Sequence, residues 1–191
     1  MRKSIVSLLL AAVMVVSLAG CGKLNTLGSG NSSASESTGV YADENGYAEG
    51  RMGDVMHNCF FDFTVNSAYL CDEYGTWEAS YGYKVLVVEL TIKNTSQTSI
   101  PMYDTDFQIQ WSDDADDAYD WPLTLYTAST DTIGENVLPA EYTLSVNESR
   151  TGLLLFEVPE GEADFAIAFM EYFDDDTTGD VFFVYFTAKD Q

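Results

Sequence analysis

His57 and Cys59 are the residues of this chain whose types and spacing come nearest to a catalytic pair. A histidine beside a cysteine thiol supplies the base and the nucleophile of covalent catalysis. The pair nevertheless belongs to no recognisable catalytic signature, and a zinc site here would need several carboxylates to complete its ligands. We therefore expect a surface histidine near a small buried cysteine, and we predict that the protein is not an enzyme.

Two acidic clusters are candidate calcium sites, at 112–121 (SDDADDAYDW) and 173–180 (FDDDTTGD). Calcium takes about 6–8 oxygen ligands, which carboxylates at this density could supply. The first cluster lacks the D-x-D-x-D-G spacing of a calcium loop, so we expect solvated acidic loops, with calcium as the alternative and no other cofactor. The candidate ligands are Asp113, Asp114, Asp116, Asp117 and Asp120 in the first cluster, and Asp174, Asp175, Asp176 and Asp180 in the second.

Aromatic residues in or beside predicted loops are the candidate binding residues, with Tyr119 and Trp121 foremost. Exposed Tyr and Trp rings suit protein interfaces and sugar stacking, whereas buried rings would close the ends of the fold. The sequence leaves both interpretations open. The wider set comprises Tyr74, Trp77, Tyr81, Trp111 and Tyr126.

Cys59 and Cys71 are a possible disulfide pair, since exported proteins oxidise such thiols. Residues 60–70 between them are predicted to form one extended strand. At about 3.3 Å per residue, a straight strand would hold the two Cα atoms beyond the disulfide limit of about 7 Å. A bridge would require a turn between the cysteines, and the sequence leaves their pairing open.

The N-terminal segment has the organisation of an export signal. Arg2 and Lys3 precede an apolar run over 5–18, which is shorter than the about 20 residues of a membrane span. The residues LAGC at 18–21 resemble the box that bacterial lipoproteins carry. The resemblance implies cleavage before Cys21, lipid attachment to Cys21, and a membrane anchor facing outside; secretion with cleavage near Ala19 is the alternative.

Composition divides the chain into three parts. Residues 1–20 are the predicted signal peptide, 21–50 the lipidated N-terminus and a flexible Gly/Ser-rich tether, and 51–191 one folded domain. Without the signal peptide, 6 basic residues remain against 31 acidic residues, a net charge of −25. Such a charge repels phosphate backbones, so we expect no nucleic-acid partner. The acidic surface itself indicates solubility.

The predicted domain is all-β. Alternating apolar and polar residues indicate strands, and no run of ten or more residues has a capped helical stripe. We predict an antiparallel β-sandwich of about 7–8 strands, because parallel sheets would need crossover helices. The predicted strands are 60–70, 83–94, 107–111, 144–148, 152–158, 165–173 and 181–188, with a short leading strand at 54–58.

A series of residues resembles one family of bacterial extracytoplasmic domains. It comprises Gly53-Asp54 before FxFTVNS (61–67), YKVLVVELTIKNTS (83–96), Phe107, LPAE (138–141), and Gly152 before FEVP (156–159). The family has no known function and an immunoglobulin-like sandwich, is related to a small secreted mycobacterial antigen, and commonly occurs in lipoproteins of Gram-positive bacteria. The resemblance implies an immunoglobulin-like β-sandwich, and it carries no catalytic residues.

These observations predict a non-catalytic lipoprotein on the outer side of the cell membrane. Its immunoglobulin-like domain would bind another envelope or secreted protein. The alternative is a module that binds a small ligand, a glycan or Ca²⁺ through the loop aromatics and the acidic clusters.

Overall fold

The computed structural model describes residues 39–111, 118–127 and 133–191 of the chain. Within these ranges the fold is all-β, with two 3₁₀ helices at Asp104–Asp106 and Leu123–Tyr126. The strands are β1 (Gly39–Val40), β2 (Tyr47–Arg51), β3 (Val55–His57), β4 (Phe61–Cys71), β5 (Glu73–Tyr74), β6 (Trp77–Glu78), β7 (Tyr83–Asn94), β8 (Ile100–Tyr103), β9 (Phe107–Trp111), β10 (Tyr119–Asp120), β11 (Glu141–Leu144), β12 (Ser149–Pro159), β13 (Asp164–Tyr172) and β14 (Thr178–Thr187).

Two five-stranded sheets form a sandwich, which confirms the predicted fold class. The first has the order β1-β3-β4-β7-β12 and the second the order β10-β9-β13-β14-β2. Most neighbours are antiparallel, but β1 runs parallel to β3 and β2 runs parallel to β14. Two further ribbons, β5–β6 and β8–β11, lie outside the main sheets. The strands of the main sheets with at least five residues are β2, β4, β7, β9, β12, β13 and β14.

The core lies between the two sheets and is rich in phenylalanine. The Phe61 and Phe169 ring centroids are 4.8 Å apart, and those of Phe63 and Phe107 are 5.4 Å apart. Each such ring contributes about 1.5–3 kcal/mol on burial. The face of β7 predicted from the sequence is buried here, and so is the trio predicted for β12: Leu86, Val88, Leu90, Ile92, Leu154, Phe156 and Val158.

The outer face of the first sheet is covered as well at one end. Val85 and Val87, predicted to lie on the other face of β7 or at its rim, are fully buried. They pack in a second cluster with Leu123, Ile133 and Leu155. The continuous apolar run of β7 thus reflects burial on both faces, as expected for a strand that is covered on two sides.

The folded domain begins earlier than the predicted boundary at residue 51. β1 pairs with β3, and β2 pairs with β14 along its whole length, with Ala48 only 1% exposed. Residues 39–50, assigned to the tether from their composition, therefore belong to the sandwich. Short strands rich in Gly and Ala have no clear apolar period, which explains the error.

The strand predicted at 144–148 is wrong. β11 ends at Leu144, and the chain then turns into β12. Asn147 has a φ of 61°, and the Glu148 N–H donates to the Ser145 carbonyl at 2.9 Å. Asparagine tolerates this left-handed conformation better than most residues, so the turn forms where the apolar alternation suggested a strand.

The outward main-chain groups at both ends of β2, an edge strand, are occupied by aspartates. The Tyr47 N–H donates to Asp43 Oδ1 at 3.1 Å, and the Tyr47 carbonyl accepts from the Asp43 N–H at 2.8 Å. At the other end, the Arg51 N–H donates to Asp54 Oδ2 at 2.7 Å, and the Arg51 carbonyl accepts from the Asp54 N–H at 2.9 Å.

Cys59 and Cys71 are free thiols. Cys59 precedes β4 and Cys71 is the last residue of β4, so the strand holds them at its two ends. The turn that a disulfide would require between them is not formed.

Candidate functional site

A groove opens at one edge of the sandwich, with a volume of about 350 Å³. It lies between β7 and β12 of the first sheet and β9 and β10 of the second, where β12 and β10 are edge strands. We call this depression the edge groove. Its lining residues are Tyr83, Trp111, Ala118, Tyr119, Asp120, Glu157 and Pro159.

Strand register places the two walls of the edge groove. On the first sheet, Tyr83 is directly opposite Pro159 in the β7–β12 pair. On the second sheet, Tyr119 is opposite Gln110, and the Trp111 N–H donates to the Ala118 carbonyl at 3.1 Å. The aromatic rings of the groove therefore come from three different strands.

Glu157 is oriented on the first wall by two donors. Its Oε1 accepts from the Ser80 N–H at 2.8 Å, and its Oε2 accepts from Trp77 Nε1 at 3.2 Å. Both donors are uncharged, so they fix the position of the carboxylate and leave its negative charge in place. A carboxylate has about four lone-pair sites, so each oxygen retains capacity for a further donor.

Asp120 is oriented on the second wall. Its Oδ1 accepts from the Trp121 N–H at 2.7 Å and from the Tyr126 hydroxyl at 2.6 Å. Burial and the hydrogen bond to Asp120 raise the pKa of Tyr126 to about 12, so this hydroxyl remains a donor at neutral pH. The Oδ2 atom of Asp120 accepts no hydrogen bond from the part of the chain that the structure describes.

The groove carboxylates have no cationic partner among residues 39–111, 118–127 and 133–191. The ion pairs in those ranges are His57–Asp62, Lys84–Asp72, Lys84–Asp190 and Arg150–Glu148. Asp120 and Glu157 take part in none of them. The edge groove is thus an aromatic depression with two uncompensated negative charges.

The candidates predicted from the sequence divide between the groove and its surroundings. Tyr119, Asp120 and Trp111 line the groove, whereas Trp121 is half-buried beside it. Trp77 donates a hydrogen bond to Glu157, and Tyr126 donates one to Asp120. Tyr81 is fully exposed. The calcium candidates Asp113, Asp114, Asp116 and Asp117 lie outside the described residues.

The sequence did not single out Ala118 of the second wall, nor Tyr83, Glu157 and Pro159 of the first wall. The three residues of the first wall lie within predicted strands or directly beside them. At such positions the local sequence does not distinguish a groove residue from any other outward-facing residue. Only the β7–β12 register and the approach of β10 to β12 bring them to Tyr119. No local sequence signal reports that approach.

A second depression, of about 330 Å³, surrounds the predicted His57–Cys59 pair. His57 Nδ1 lies 2.6 Å from Asp62 Oδ1, and the Tyr41 ring stacks on the imidazole with centroids 4.5 Å apart. The histidine is thus held by β4 on one side and by the chain after β1 on the other. This contact fastens the start of the domain to the first sheet.

Cys59 differs from the expectation of a buried cysteine, since it is exposed. Partial desolvation and the neighbouring Glu171 carboxylate raise the pKa of its thiol to about 12. Cysteine reacts as the thiolate, so this thiol is a poor nucleophile near neutral pH.

The second acidic cluster covers the turn between β13 and β14 and the first residues of β14. Asp175 Oδ1 accepts from the Thr177 N–H and hydroxyl, and Asp176 Oδ1 accepts from the Tyr172 hydroxyl at 3.0 Å. Within the described ranges, no three His, Cys, Asp or Glu side chains are grouped to hold a metal ion. Asp175 and Asp176 thus hydrogen-bond within the turn that contains them.

A known family profile matches most of the sandwich. Residues 51–180 match the profile of a domain of unknown function, DUF4352. The chain belongs to the DUF4352 family. No curated protein matches the chain. None of the helices in the described part of this DUF4352 protein is long and apolar enough to cross a membrane.

Two solved structures from Bacillus subtilis share the fold of this DUF4352 domain. YcdA of Bacillus subtilis, a candidate lipoprotein, is 16% identical with a TM-score of 0.52; the alignment covers 70% of this chain but only 38% of YcdA. YjhA of Bacillus subtilis is 17% identical with a TM-score of 0.50, covering 71% of this chain and 99% of YjhA. A β-sandwich protein of Clostridium difficile is 11% identical with a TM-score of 0.38, covering 73% and 93%.

Proposed function

We propose that this DUF4352 protein is a non-catalytic lipoprotein on the outer side of the cell membrane, whose sandwich binds another envelope or secreted protein. The edge groove carries the proposal. It combines exposed aromatic rings with two uncompensated carboxylates at the open edge of the fold. Aromatic residues are enriched at protein interfaces, where they contribute large contact areas.

The anchor rests on Cys21 and on the export signal before it, both outside the described residues. The similarity of the fold to YcdA, a candidate lipoprotein, is consistent with this location. The relation to a mycobacterial antigen and an origin in Gram-positive bacteria stay predictions. A lipid on Cys21 would hold the domain at the membrane, because two or more acyl chains give stable anchoring.

The absence of catalysis is part of the proposal. It is supported by the Cys59 thiol, whose raised pKa of about 12 opposes nucleophilic attack. It is also supported by His57, whose Nδ1 pairs with Asp62 and whose ring stacks on Tyr41. Both arrangements are consistent with side chains that do not act as a nucleophile and its base.

A glycan is the second candidate occupant of the edge groove. Tyr119 and Tyr83 are 44% and 45% exposed, and sugar rings stack on such aromatic faces. A neutral sugar would leave the charges of Asp120 and Glu157 uncompensated, so we favour a protein. Calcium binding is the remaining alternative, and its candidate ligands are Asp120 together with Asp113, Asp114, Asp116 and Asp117.

The anchor is tested with Cys21→Ser in the full chain. The wild-type protein should partition into the detergent phase and carry the mass of a lipid on Cys21. The variant should lose that mass and leave the detergent phase. Equal partitioning and equal mass would overturn the anchor.

The binding role is tested with a photoreactive phenylalanine at position 119 of the full chain in its parent cells. Tyr172 is the matched control, because it is an exposed tyrosine at the end of β13 away from the groove. We expect one discrete protein adduct at 119 and none at 172. Adducts of equal pattern at both positions, or glycan adducts alone, would contradict a protein partner.

A further inference from the structure

We propose that the edge groove receives an arginine side chain of the partner protein. This inference rests on the proposed function and specifies its chemistry. The guanidinium would lie against the exposed ring of Tyr83 or Tyr119, and its N–H groups would donate to Asp120 and Glu157.

The first argument is charge. Asp120 and Glu157 come from opposite walls of one groove, and the ion pairs of the described residues leave both unpaired. Asp120 Oδ2 accepts no hydrogen bond in those ranges, and both Glu157 oxygens accept only neutral donors. Two like charges in one depression are stabilised by a cation placed between them.

The second argument is the aromatic surface. No ring of Tyr83, Trp111 or Tyr119 is paired with another aromatic ring within the described part of the chain. Tyr83 and Tyr119 are 45% and 44% exposed, so their rings can meet a ligand, whereas Trp111 is half-buried against the core. Aromatic faces attract cations within about 6 Å, and arginine more often than lysine.

The third argument selects arginine over other cations. Guanidinium is planar and carries five N–H donors, so it can stack on a ring and donate to carboxylates on two sides. An ammonium group is a point charge without a face to stack. Arginines of this chain already show the preference: Arg51 lies over the Tyr185 ring at 4.9 Å, and Arg150 lies over the Tyr142 ring at 4.7 Å.

The test measures binding of four peptides to the full chain in detergent by calorimetry. The peptides share the sequence acetyl-Gly-Ser-X-Ser-Gly-amide, with arginine, lysine, citrulline or glutamate at X. We expect the arginine peptide to bind at least about threefold more tightly than the lysine peptide. Citrulline, the neutral isostere, should bind at least about tenfold more weakly than arginine, because its hydrogen bonds lack the cation.

Variants locate the binding site. Glu157→Gln should weaken the arginine peptide by about tenfold or more, since it removes one charged acceptor. Glu160→Gln is the matched control, because it removes the same charge at an exposed residue outside the groove and should leave binding unchanged. Tyr119→Leu tests the aromatic wall at an exposed position and should weaken binding about two- to fivefold.

Equal binding of the arginine and citrulline peptides, or equal weakening by Glu157→Gln and Glu160→Gln, would overturn the arginine proposal. So would the absence of binding by the arginine peptide. A partner adduct at position 119 that persists in such a case would leave the proposed function standing. If the arginine peptide binds but no protein adduct forms at position 119, the protein-binding role would be contradicted and the arginine site would stand.

Discussion

Glu171 accepts a hydrogen bond from the main-chain N–H of Cys59 at 2.8 Å, although 112 positions separate the two residues. Its second oxygen accepts from the Asp180 N–H at 3.0 Å. The carboxylate is only 5% exposed and joins the turn before β4 to the start of β14. One buried side chain thus connects the two sheets at this end of the sandwich.

Glu171→Ala should destabilise the domain by about 2–6 kcal/mol. Two main-chain N–H groups lose a charged acceptor, and each unsatisfied group costs about 1–3 kcal/mol. Urea unfolding followed by circular dichroism measures the change. Glu160→Ala is the control, because Glu160 is exposed and its side chain makes no hydrogen bond in the described ranges. Equal midpoints for the two variants would contradict the role of Glu171.

The Cys59 thiol should react with iodoacetamide at pH 8 about a thousandfold more slowly than free cysteine, despite its exposure. Its pKa is raised to about 12 by desolvation and by Glu171, so little thiolate exists at that pH. Peptide mapping by mass spectrometry measures the rate at each cysteine. Glu171→Gln removes the carboxylate charge and should accelerate alkylation of Cys59; a rate close to that of free cysteine in the wild-type protein would show that the thiol does not face Glu171.

Asp106 should make the domain less stable as the pH rises from about 4 to about 7. Burial raises the pKa of this carboxyl from 3.8 to about 6, although its Oδ2 accepts from the Tyr103 N–H at 2.7 Å. A raised folded-state pKa contributes stability that is complete below the unfolded pKa and is lost as the pH passes through about 6.

Asp106→Asn keeps an acceptor for Tyr103 and removes the titration. The stability difference between wild type and variant should therefore shift by about 1–3 kcal/mol in favour of the variant between pH 4 and pH 7.5. Melting temperatures across this range test it. The exposed Asp174→Asn serves as the reference, and a parallel pH dependence of wild type and Asp106→Asn would refute the assignment.

A chain that starts at residue 51 should be less stable than one that starts at residue 39 by at least about 2 kcal/mol. The shorter chain lacks β1 and all of β2 except Arg51; β2 pairs with β14 and buries Ala48. Lost hydrogen bonds and newly exposed apolar surface both contribute. Melting temperatures of the two chains give the comparison, and identical values would mean that β1 and β2 contribute nothing to stability.

The long strands were predictable from the sequence because each has a strong local pattern. The bounds predicted for β7 agree with the structure, and those of β4, β9, β12, β13 and β14 agree within a few residues. β2 was not predictable, because Tyr-Ala-Glu-Gly-Arg has no apolar alternation and is ordered by its pairing with β14. Its strand character comes from tertiary contacts rather than from propensity.

The edge groove was predictable only in part. Tyr119 and Trp111 were recognised as aromatic residues near loops. Glu157 was not, because it lies within an apolar strand and reaches the groove only through the arrangement of two sheets. Glu171, likewise in a strand, became visible as a structural residue only once its two distant donors were located.

Asp43 and Asp54, which bind the main chain at the two ends of β2, affect how copies of the protein associate at high concentration. An open edge strand offers its amides as a template for a strand of another copy. Asp43 and Asp54 already occupy the groups that a foreign strand would need at both ends of β2. A neighbouring copy would therefore find few free main-chain groups at the ends of β2. The sandwich should resist polymerisation along this edge.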